Sequence, residues 1–164
     1  MQSKQQPDIQ FMLSDSSHVL ALGFGSGLAV KAPGTWGTLA AIPLWLLISM
    51  LGFCAQLGVV VVAFILGIAV CDRTTKNLGV HDHGSIVWDE FVGFWLTMLF
   101  LPAGYISIFI GFVLFRLFDI VKPWPIRAAD RHVHGGFGIM LDDIIAAIFA
   151  GASYQLVVFI VGLF

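Results

Sequence analysis

The chain has 164 residues, of which 59% are apolar and 11% charged, and its mean hydropathy is +0.95. A soluble domain carries about 25% charged residues, so a water-exposed globule is excluded, and the apolar content excludes disorder. A net charge of −2 with no basic stripe excludes a nucleic-acid binder. What remains is an all-α integral membrane protein, read as one domain.

The first 17 residues form a polar tail in which Lys4, Asp8 and Asp15 precede any apolar run, so a cleavable signal peptide is not expected. Residues 18–38 are apolar but broken by Gly23, Gly25, Gly27, Pro33, Gly34 and Gly37. They read as a Gly-rich re-entrant or interfacial segment, because irregular backbone at membrane depth survives only under protein or a wet cavity. Thr35 is the expected N-cap of the helix that follows.

No charge occurs from residue 32 to residue 71. As one helix those residues would span ~60 Å, twice a ~30 Å bilayer core, so they must fold back. The apolar runs predict five transmembrane helices, at about 37–53, 56–72, 85–101, 104–121 and 141–162. Cys54 and Cys71 fall near opposite ends of the second, ~25 Å apart, and should not pair. All eight Lys and Arg and all ten Asp and Glu fall on the side that holds the 72–85 and 121–140 loops. The positive-inside rule makes that side the cytoplasm.

Only eleven apolar residues separate Glu90 from Pro102, ~16 Å of helix, so Asp89 and Glu90 must lie within the membrane or at its edge. Arg116 falls at a matching depth on the neighbouring helix, and Asp119 shares its face. Asp142 and Asp143 open the last helix. Five acids against one arginine leave surplus negative charge at a depth where each charge costs at least ~2.5–3.5 kcal/mol. Asp89, Glu90, Asp119, Asp142 and Asp143 are therefore candidate ligands of a hard cation, with Mg²⁺ the expected ion for an oxygen-only set. The His81-Asp82-His83 and His132-Val133-His134 elements could hold zinc, but no cysteine ligand lies near them.

Arg116, Lys122, Arg127 and Arg131 are candidate phosphate binders, since they sit between two acid clusters at headgroup level. Alone, that loop would read as one that touches anionic lipids. Together these features point to a phospholipid phosphate as substrate. Sequence signatures of three covalent phosphatase classes are missing: no Cys-x5-Arg, no Asp-x-Asp and no Pro-Ser-Gly-His occurs. Metal-assisted attack by water is the expected route, with a carboxylate nucleophile left open. The alternative is a small transporter or channel using the buried carboxylates and Arg116, although the outer side offers no charge to continue a path.

Three blocks also carry a resemblance: GFGSGLAVKAPGTWGTLAAIP (23–43), GVHDHGSIVWDEFVG (79–93) and FRLFDIVKPWPIRAADRHVHGGFGIMLDDIIAA (115–147), together 69 of 164 residues. The chain resembles the bacterial phosphatidylglycerophosphatase A family. The resemblance implies a Mg²⁺-dependent, multi-pass enzyme of the bacterial inner membrane. Its reaction would hydrolyse phosphatidylglycerophosphate to phosphatidylglycerol and inorganic phosphate at the cytoplasmic face. Under that reading Asp89, Glu90, Asp119, Asp142 and Asp143 supply metal ligands or the water-activating base. Asp130 orients Arg131 or joins the metal shell, and His81, His83 or His134 protonates the leaving alkoxide.

Overall fold

A computed structural model describes residues 6–80 and 83–162, and among these every regular element is helical. Two short helices, α1 (Ile9–Leu13) and α2 (Ser16–Ala21), lie within or just beyond the segment read as a polar tail. Each is started by an acid. Asp8 accepts from the Phe11 amide and Asp15 from the Ser17 amide, each at 2.8 Å. Helices of five and six residues carry too little periodicity to be read from sequence. Two 3-10 turns follow over Gly23–Leu28, kinked where Phe24 and Gly25 take φ of 56° and 101°.

Helix α3 (Pro33–Ile48) begins four residues before the expected 37. Pro33 sits in its first turn, where its missing N–H costs nothing. Thr35 is therefore inside the helix rather than its cap. The cap is Ala32, in the left-handed region at φ 49°, with no side-chain cap bond. The fold-back comes at residues 49–52, and Gln56 closes it by donating to the Leu51 carbonyl at 2.8 Å.

Helix α4 (Phe53–Leu78) runs six residues past the expected end and stops at Gly79, whose φ of 66° suits a left-handed C-cap. Helix α5 (Trp88–Met98) is shorter than the expected 85–101. Residues before it are drawn into a turn, with the Val87 amide donating to the Ala21 carbonyl at 2.8 Å. Helix α6 (Tyr105–Val121) matches expectation within one residue. Helix α7 (Ile126–His132) forms inside the expected 121–140 loop, and α8 (Gly135–Val161) starts six residues before 141.

Helix α8 is the central post. It packs on α4, α5, α6 and α7, while α5 packs in turn on α3, α4 and α6. Two indoles bolt α5 in place: Trp88 donates to the Ala63 carbonyl of α4 and Trp95 to the Ala41 carbonyl of α3, each at 3.0 Å. The outward faces of α4, α6 and α8 are apolar, with Val62, Ile65, Ile106, Phe109, Phe159 and Val161 all exposed. Such faces suit a lipid surround rather than water. Among the described residues, α4 and α8 are long and apolar enough to cross a membrane by themselves. Helices α3, α5 and α6 have 16, 11 and 17 residues, or ~24, ~16 and ~25 Å. Cys54 is exposed and Cys71 buried, with no disulfide between them.

Candidate active site

The first turn of α5 carries Asp89 and Glu90, whose directions differ by ~100° about the helix axis. Glu90 points toward α6, where Arg116 Nη1 lies 3.6 Å from its Oε1. Asp143, from the early turns of α8, completes a group: one carboxylate oxygen from each of Asp89, Glu90 and Asp143 lies within 4.8 Å of the other two. Two glycines permit this approach. A Cβ on Gly93 would stand 2.6 Å from the Phe115 ring and 3.2 Å from Asp143 Cβ. A Cβ on Gly34 would stand 2.1 Å from Glu90 Oε1 and 3.1 Å from both terminal nitrogens of Arg116. The opening turn of α3 thus roofs the Glu90–Arg116 pair with bare backbone.

The electrostatics of the group are unbalanced. Asp89 Oδ1, Glu90 Oε2 and Asp143 Oδ2 are buried and have no hydrogen-bond partner. Arg116 also pairs with Asp119 one turn along its own helix, so its guanidinium is shared between two carboxylates, Glu90 and Asp119. Asp143 is only 2% exposed, which leaves its charge little access to water. An unpaired buried charge is strongly destabilising. Three converging acids, each with a buried oxygen left without a partner, form a donor set that fits a hard cation.

The remaining expected residues fall elsewhere. Asp142 does not join the three-acid group but faces Lys122, whose Nζ lies 2.5 Å from Asp142 Oδ2 and 2.7 Å from Asp130 Oδ1. Burial alone would pull the Lys122 ammonium down. The Asp142 and Asp130 carboxylates outweigh that and hold it above the usual lysine range. Asp130 thus orients Lys122 rather than Arg131. Arg127 and Arg131 are exposed on α7, with Arg127 donating to the Val121 carbonyl at 3.2 Å. His83 is buried, and its Nδ1 accepts from the Ser85 amide at 3.2 Å. His134 is exposed at the start of α8. His81 lies outside the described residues.

Gly34 and Gly93 are the functional positions that sequence reading missed. The signal for Gly93 was its i, i+4 relation to Asp89, which puts it on the acid's own face. The split between Asp142 and Asp143 was also available, since adjacent helical residues cannot point the same way.

A family described as phosphatidylglycerophosphatase A matches residues 19–158. A phosphatidylglycerophosphatase A of Escherichia coli is 51% identical over 144 residues, 87% of this chain and 84% of its own. Another of that name from Haemophilus influenzae is 48% identical over 150 residues, 90% of this chain and 92% of its own. A Bacteroides thetaiotaomicron protein described as a candidate phosphatidylinositol-3-phosphatase is 36% identical over 140 residues, 80% of this chain and 87% of its own. No solved structure matches the chain.

Proposed function

The chain belongs to the phosphatidylglycerophosphatase A family, and on that premise we propose that it hydrolyses phosphatidylglycerophosphate to phosphatidylglycerol and inorganic phosphate at the cytoplasmic face of the bacterial inner membrane. The observation that carries the reading is the convergence of Asp89, Glu90 and Asp143, each with one buried carboxylate oxygen that has no hydrogen-bond partner, beside the Glu90–Arg116 pair. The chain is one domain in which α3, α4, α5, α6 and α8 serve as five membrane segments. The 3-10 turns and the start of α3 lie at the interface. With that topology the acid layer, α7 and every Lys and Arg face the cytoplasm.

Asp89, Glu90 and Asp143 would hold Mg²⁺, with Asp119 adjoining through Arg116. Bound there, the ion would offset the surplus negative charge and act as a Lewis acid toward phosphoryl oxygen. The residues themselves account for the rest. Arg116 keeps Nε without a hydrogen-bond partner, and that N–H is available to a phosphate oxygen. Exposed Arg127 and Arg131 draw the anionic headgroup to the membrane surface. A carboxylate of the group takes the proton of the attacking water as the new P–O bond forms. The bond from phosphorus to the glycerol oxygen breaks, and His83 or His134 returns a proton to that oxygen.

The test is inorganic phosphate release from phosphatidylglycerophosphate in detergent micelles, with Mg²⁺ and with EDTA, beside phosphatidic acid and lysophosphatidic acid. Release from the first lipid that EDTA abolishes is expected. Equal release with EDTA overturns the cation, and no release from folded protein overturns the activity.

A further inference from the structure

The sequence offers Lys122 as a candidate phosphate ligand, yet its ammonium pairs with two acids of the fold. It caps α6 in the left-handed region, at φ 43° and ψ 60°, a conformation usually given to glycine or asparagine. Where a chain places a long side chain at such a backbone position, some contact of that side chain offsets the strain. Here the contacts are two acids on two other elements: Asp130 of α7 at 2.7 Å and Asp142 of α8 at 2.5 Å. Two of the three ammonium donors are thereby engaged. The Asp142 side chain is 9% exposed and that of Lys122 26%, so the ion pair is largely shielded from water and from screening.

Asp142 adjoins Asp143 in the chain, and their directions differ by ~100°. Whatever pins Asp142 fixes the rotation of this part of α8, and with it where Asp143 Oδ2 stands relative to Asp89 and Glu90. Lys122 also supplies the positive charge that keeps Asp142 from adding to the three-acid group. We propose that Lys122 is a positioning residue: by strapping α6, α7 and α8 together through Asp130 and Asp142, it sets Asp143 for the cation and does not itself bind substrate phosphate. This rests on the cation reading above.

The experiment uses the full chain in detergent micelles, with Mn²⁺ binding followed by electron paramagnetic resonance and with kcat and KM measured separately. Lys122→Gln should weaken Mn²⁺ binding about tenfold and lower kcat, with KM within about twofold of wild type. Lys122→Arg, which keeps the charge, should recover most of the loss. The double variant Lys122→Gln with Asp142→Asn adds no unpaired charge at the buried Asp142 position, so it folds even if the single variant does not. It lacks the strap as the single variant does, so it should bind Mn²⁺ as weakly as Lys122→Gln, again at unchanged KM, and wild-type affinity in it overturns the proposal. A raised KM with normal Mn²⁺ affinity, in the single or the double variant, overturns the proposal and gives Lys122 to the phosphate. Unchanged Mn²⁺ affinity and kcat in Lys122→Gln overturns it as well. A wild-type protein that binds no Mn²⁺ overturns the cation reading itself, which is a separate result.

Discussion

Gly34 has no room for a methyl group, because a Cβ there would fall 2.1 Å from Glu90 Oε1. Gly34→Ala must displace either Glu90 or the opening turn of α3, at a cost of about 1–3 kcal/mol. The expected outcome is at least a tenfold drop in phosphate release with the helical circular dichroism retained. The three acids carry a sharper prediction, because they should have opposite effects on stability and on activity. Asp143→Asn removes one of the mutually repelling buried charges, so in EDTA it should melt at a higher temperature than wild type. In Mg²⁺ it should lose activity by about a hundredfold or more, and the ion should no longer raise its melting temperature. A variant that is inactive and also less stable in EDTA would make Asp143 a structural residue. The chemistry of these residues was legible in the sequence as surplus acid at the edges of apolar runs, beside one arginine. Which oxygens converge was not, since Asp89, Glu90 and Asp143 lie on two helices whose rotation is set by packing at Gly93 and Trp88.

At the scale of elements, α5 is the piece held most tightly. It reaches only ~16 Å, yet indole bonds tie it to α3 and α4 and glycine contacts bring it against α6 and α8. Trp95→Phe keeps the packing but leaves the Ala41 carbonyl without this donor, and should destabilise by about 1 kcal/mol, read as a lower melting temperature. The N-terminal helices are held differently, by polar contacts at the end of α4. Asp15 caps α2 and pairs with Arg73, and Asn77 bonds His18. The Ser17 amide, and after it Arg73, hold the Asp15 carboxyl below its ordinary value of 3.8. A carboxyl lowered in the folded state contributes stability above its unfolded value and loses it as pH falls through the folded one. Docking of α1 and α2 should therefore loosen below about pH 4, seen as faster hydrogen exchange at their amides. Asp15→Asn should remove that pH dependence. These two helices escaped sequence reading because five or six residues hold no full amphipathic repeat. Helix α7 escaped because Pro123 and Pro125 suggest an extended loop, whereas Pro125 stands at the helix's own N-terminus.

For the whole molecule, the proposed five-segment topology predicts which ends can be reached from which side. Cys54 is exposed near the start of α4. In a Cys71→Ala background a membrane-impermeant maleimide should label it from the outer face of intact spheroplasts. With Cys54 also replaced by Ala, Gly84→Cys, where a Cβ meets nothing within 4 Å, should be labelled only after lysis. The reverse pattern would invert the protein and move the acid layer to the outer face. The helical class followed from the sequence by itself, and the expectation of a membrane protein with its charges on one side rests on the same ground, composition and uncharged lengths of chain. The candidate acids followed too, because a charge beside a long apolar run stands out against its neighbours. Only the tertiary structure decided that Asp143 joins Asp89 and Glu90 while Asp142 turns to Lys122, and that Gly34 closes over Glu90. Those outcomes depend on helix rotation and close backbone approach, which arise from packing between segments distant in the chain.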